Sequence, residues 1–132
     1  MAGCPTRRGS GRGGGVVLLT LFLVDTTAVV VSGPCVLTNG GSCAASPGWP
    51  GRHGNFQACS IAGVPSVPLT VVSFDVEFSR SCRYDAVSIN GTRYCGAQNL
   101  GPHDVVAEDG LIEWVSDLNV VRGGWEICWT IR

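Results

Sequence analysis

The chain has 132 residues, a formal net charge of −1, and a composition in which 45% of residues are hydrophobic and only 14% charged. That length holds one domain rather than two, and its nineteen glycines and seven prolines argue against long helices. All nine basic residues are arginines; Arg7, Arg8 and Arg12 lie at the front, while six from Gly33 onward face nine acids. A mildly acidic domain without a basic stripe excludes nucleic acid as a partner.

Residues 1–15 are rich in arginine and glycine, and Val16 to Val24 reads VVLLTLFLV without a charge. Small residues follow at Thr26, Thr27, Ala28 and Ser32. This is the order of a secretory signal peptide, with cleavage after Ala28 or after Ser32. Residues 1–32 are read as the leader and 33–132 as the domain. A signal anchor is the alternative, but a spanning helix needs about 20 apolar residues and Asp25 interrupts the run. The expected location is therefore secreted and extracellular, with cell-surface attachment only through an uncleaved leader.

Seven cysteines stand at positions 4, 35, 43, 59, 82, 95 and 128. Cys4 falls in the leader. The other six read as three disulfides of a small secreted domain, with 15 possible pairings. No C-x-x-C occurs, and His53 and His103 have no second ligand at a recognisable spacing, so zinc is set aside.

Downstream, Pro68 to Phe78 reads as a strand: Val72, Phe74, Val76 and Phe78 alternate with Ser73, Asp75 and Glu77. Tyr84 to Ile89 reads as another, followed by the hairpin pair Asn90-Gly91. Leu111 to Val115 follows the turn Glu108-Asp109-Gly110. Trp125, Ile127, Trp129 and Ile131 alternate along a last strand. No window carries a sustained helical period. Short strands between turns indicate an all-β sandwich or jelly roll. Trp114, Trp125 and Trp129 read as structural residues, and Trp49, in a loop, as an exposed contact. There is no nucleophile elbow and neither histidine sits in a motif, so no enzyme is read.

Ser46-Pro47-Gly48-Trp49-Pro50 resembles the SP-x-aromatic-P turn of CUB domains. Cys59-Ser60-Ile61, Phe74-Asp75-Val76-Glu77, Cys82-Arg83-Tyr84-Asp85, Tyr94-Cys95-Gly96 and Ser116-Asp117 before Gly124-Trp125 resemble that family's further motifs, in order and spacing. The resemblance spans residues 35–131. It implies a disulfide-stabilised jelly-roll β-sandwich of two antiparallel sheets, with bridges Cys35–Cys59 and Cys82–Cys95. Cys43 and Cys128, beyond the commonest four-cysteine pattern, are left for each other.

Glu77, Asp85 and Asp117 match the calcium ligands of calcium-binding CUB domains, and Asn119 would add an oxygen. Calcium takes six to eight oxygens, and three gathered carboxylates repel unless a cation or proton neutralises them. The competing reading makes them strand-end charges paired with Arg80, Arg83 or Arg93. The tyrosine that calcium-binding members carry near the site has no counterpart before Cys59. Asn90-Gly91-Thr92 is a glycosylation sequon. The resemblance implies a calcium-assisted recognition module. Its partner would be an extracellular protein or carbohydrate whose basic group meets Asp85 and Asp117, with Trp49 as a further contact. A structural matrix component without metal, or a fragment of a longer mosaic protein or protease, is the alternative.

Overall fold

A computed structural model describes residues 28–118 and 120–129. The leader through Thr27, Asn119 and Ile131 lie outside the described residues. Among those described, no helix is long and apolar enough to cross a membrane.

Among the described residues, nine strands form two antiparallel sheets, the jelly-roll sandwich expected. One sheet orders β1 (Val30–Ser32), β4 (Ala58–Ala62), β8 (Ile112–Val115), β6 (Ala86–Ile89) and β7 (Thr92–Tyr94) as β1-β4-β8-β6-β7. The other orders β2 (Val36–Thr38), β3 (Cys43–Ala45), β9 (Gly124–Cys128) and β5 (Thr70–Asp75) as β2-β3-β9-β5. β1 pairs Val30 with Ala62 and Ser32 with Ser60, so the sheet takes in residues ahead of Gly33.

The inner faces meet in one core. Ile61, Val87, Ile89, Ile112 and Trp114 come from the first sheet, and Ala44, Val71, Phe74, Trp125 and Ile127 from the second. Trp114 and Trp125, both fully buried, meet edge to face with centroids 6.0 Å apart, an arrangement that favours the rings beyond their area. Trp129 packs in the same cluster. The β6–β7 hairpin turns on Asn90 (φ 53°) and Gly91 (φ 78°), the two left-handed residues that a tight type I′ turn requires.

One expectation needs correction. Val72 and Phe78 were placed on the apolar face of a strand running to Phe78, yet they are 51% and 69% exposed. The pairing of β5 with β9 shifts between Val71 and Ser73. This bulge inserts a residue and reverses the alternation before it. Val71 therefore faces the core with Phe74, Val72 turns out, and β5 ends at Asp75.

Three disulfides pin the sandwich: Cys35–Cys59, Cys82–Cys95 and Cys43–Cys128. The last joins directly opposed residues of β3 and β9.

Candidate metal centre

Strand register brings Asp85 and Asp117 together. Ala86 of β6 lies opposite Val115 of β8, so the residue entering β6 and those leaving β8 share one end of the sheet. Asp85 is fully buried there, and its Oδ1 accepts the Asp117 backbone N–H at 2.9 Å. Glu77 arrives from the other sheet. It follows β5, where Val76 and Gly96 exchange backbone hydrogen bonds of 3.0 and 2.9 Å beside the Cys82–Cys95 bridge. A side chain at Gly96 would collide with Leu100 and Phe78, and its φ is 104°, so only glycine suits this close approach.

One oxygen from each of Glu77, Asp85 and Asp117 lies within 4.8 Å of the others. Two carboxylate oxygens in this group, Asp85 Oδ2 and Glu77 Oε1, are buried without a hydrogen-bond partner. Leaving such an acceptor unsatisfied costs about 1–3 kcal/mol. Burial pushes the Asp85 carboxyl up to about 6, against the pull of the Asp117 N–H and of His53. Burial also raises Glu77, helped by the Asp117 charge and opposed by Arg122 and His53.

The donor set fits calcium: it is all oxygen, it is crowded with negative charge, and it contains buried lone pairs that no described residue satisfies. No ion pair among the described residues joins Glu77 or Asp85 to Arg80, Arg83 or Arg93; the imidazole nitrogen His53 Nε2 stands 3.5 Å from Asp85 Oδ2.

His53 is the residue that sequence reasoning missed, for it was read as isolated. It is buried and packs edge-on to Trp114, centroids 5.0 Å apart. Its Nδ1 lies 3.0 Å from the Gly54 carbonyl, and its Nε2 accepts the Arg122 N–H at 3.1 Å. Neighbouring bonds stitch residues 52–57 to the chain after β8. Ser116 Oγ donates to the Gly54 carbonyl at 2.8 Å and accepts the Gln57 N–H at 3.0 Å, and the Phe56 N–H donates to the Asp117 carbonyl at 2.9 Å. The available signal was that His53 stands six residues before Cys59, in the turn segment that opens at Ser46.

Other sequence-derived residues lie elsewhere. Trp49 is half-buried. Asn90 is exposed, but its carboxamide is engaged: Nδ2 donates to the Val106 carbonyl at 2.6 Å, and Oδ1 accepts the Glu108 N–H at 2.9 Å.

No family model matches the sequence. The chain is similar to cubilin of Sus scrofa, 30% identical over 140 residues, which cover 88% of this chain and 4% of that protein. It is 32% identical to cubilin of Homo sapiens over 92 residues, 61% of this chain and 2% of the relative. The chain thus spans only a few per cent of the length of these relatives. Its fold is similar to part of the full extracellular region of zebrafish Gpr126/Adgrg6, with TM-score 0.50 and 22% identity over 64% of this chain and 13% of that one. The CUB1-EGF-CUB2 domain of human MASP-1/3 aligns with TM-score 0.49 and 20% identity, over 64% of this chain and 38% of that one.

Proposed function

We propose that this chain, a CUB domain, is a secreted recognition module of a mosaic extracellular protein, in which a calcium ion held by Glu77, Asp85 and Asp117 orders the loops that meet a partner. The observation that carries this reading is the gathering of three carboxylates within 4.8 Å, with two buried oxygens that have no hydrogen-bond partner among the described residues. Bound there, calcium would supply charge neutralisation and a fixed loop geometry. The fold's own residues do the rest. Asp85 anchors Asp117 through the backbone bond at 2.9 Å, and the Val76–Gly96 bridge holds Glu77 in place.

The partner is an extracellular protein or glycan presenting a basic group to Asp85 and Asp117, with Trp49 as a further contact. No catalytic step is assigned to these carboxylates.

Calorimetric titration of the oxidised chain with calcium tests the reading, with melting temperature followed in parallel. A saturable heat and a rise in melting temperature are expected, because whatever binds only the native state stabilises it. Both should vanish in Asp85→Ala and Asp117→Ala. No heat at millimolar calcium on the folded chain would overturn the metal reading and leave the module to bind without one.

A further inference from the structure

His53 occupies a place where two lone pairs face each other. The Gly54 carbonyl 3.0 Å from Nδ1 only accepts, so Nδ1 carries the proton. The Arg122 backbone nitrogen 3.1 Å from Nε2 only donates, so Nε2 carries a lone pair. That same Nε2 stands 3.5 Å from Asp85 Oδ2, an oxygen with no hydrogen-bond partner. With Asp85 ionised, two acceptors oppose each other where neither side chain touches water.

The contact leads away from the acids as well. The His53 N–H donates to the Arg122 carbonyl at 3.2 Å, so side chain and backbone of His53 both hold Arg122. Asp75 secures the same stretch, accepting from Arg122 Nε at 3.2 Å and the Gly123 N–H at 3.1 Å. Arg52 reaches the Val121 carbonyl at 3.3 Å. This stretch carries exposed Val120 at a φ of 58°, a left-handed conformation that β-branched residues avoid. It is a piece of surface held in an unfavourable shape by bonds that converge on His53 and Asp75.

We infer that His53 is a positioning residue of the cation site and not one of its ligands: it couples occupancy of that site to the shape of the Val120–Gly123 segment. The inference rests on the calcium reading above. A cation that takes Asp85 as a ligand fixes that carboxylate, and with it the His53 ring packed 3.5 Å away, which holds Arg122 through Nε2 and through its backbone N–H. Without the cation the carboxylate, the ring and the segment loosen together.

Amide hydrogen exchange of the full oxidised chain, with and without calcium alone as the probe, tests this in the wild type, His53→Phe and His53→Gln. In the wild type, calcium slows exchange at Arg122 by about tenfold or more. In His53→Phe, calcium affinity falls by about tenfold, the size expected when a group supporting a ligand is removed. Arg122 no longer responds in that variant, while the Asp117 amide, bonded to Asp85 Oδ1, still does. His53→Gln, whose side-chain oxygen can accept the Arg122 N–H, regains part of the response, and it decides the matter where the phenylalanine variant does not fold. An Arg122 response and affinity unchanged in His53→Phe overturn the coupling while leaving the calcium site standing. A wild type in which Asp117 responds and Arg122 does not also overturns the coupling alone; one in which neither amide responds and calcium gives no heat overturns both.

Discussion

His53 Nε2 lies 3.5 Å from Asp85 Oδ2 with the Arg122 N–H already donating to it, so two acceptors face each other beside the acid cluster. Replacing Asp85 by Asn puts an N–H donor where Oδ2 stands and keeps an oxygen for the Asp117 N–H. Asp85→Asn should therefore stabilise the calcium-free domain by about 1 kcal/mol, about 5 °C in melting temperature for a domain this size. The same substitution should abolish the calcium heat. Thermal melts in chelator and calorimetry of the one variant check both halves; a lower melting temperature in chelator would contradict the acceptor–acceptor geometry.

The pH dependence of stability follows from the same group. Folded Asp85 keeps its proton up to about 6, against an ordinary 3.8. Between those values the folded state binds more protons than the unfolded one, so lowering pH stabilises the fold. The gain begins as pH falls through about 6 and is complete below 3.8, and Glu77, also raised by burial, adds in the same direction. Saturating calcium favours ionised carboxylates and should reverse the sign over this range. Melts of the wild type in chelator and in calcium, each referenced to Asp85→Asn, separate this contribution from all other titrating groups.

Asn90 clamps the β6–β7 turn to the chain ahead of β8 through two hydrogen bonds to Val106 and Glu108. Asn90→Ala should cost about 1–2 kcal/mol. Thr92→Ala removes the sequon but leaves the carboxamide and should change stability little. A glycan attached to Nδ2 would compete for the atom that donates to Val106. Intact mass of the secreted wild type and Thr92→Ala, beside melts of both, reads occupancy and its structural cost together.

The free edge of β5 is covered by side chains. Gln98 Oε1 accepts the Phe74 N–H at 2.8 Å, and His103 Nδ1 accepts the Val71 N–H at 3.1 Å. Gln98→Ala uncovers an edge beside exposed Val72, and bare edges template pairing with other chains. A loss of about 1–2 kcal/mol and concentration-dependent association are expected, measurable by melting and by sedimentation.

Much of the architecture was legible because its causes are local. Period-two alternation marked β9, and it put Phe74 of β5 and the following Val76 in the core; Asn90-Gly91 marked the hairpin. The motif spacing around Glu77, Asp85 and Asp117 named three acids that the structure gathers within 4.8 Å. It was the resemblance to calcium-binding CUB domains that picked these three out, not composition or alternation.

What the sequence could not decide depends on partners far along the chain. The bulge between Val71 and Ser73 arises from pairing with β9 and is invisible to any alternation rule, which is why Val72 and Phe78 were assigned inward. For His53 the local signal was only its place in the turn segment six residues before Cys59. Its acceptor role is imposed by an Arg122 N–H 69 residues away and its position by packing on Trp114. The sequence by itself determined which groups are available: six cysteines from Cys35 onward, alternating strands and three carboxylates at family-like spacing. Only the tertiary structure decided which lone pairs are buried, which face each other and which are left without a donor, because desolvation and hydrogen-bond geometry exist only once distant strands have closed over the site.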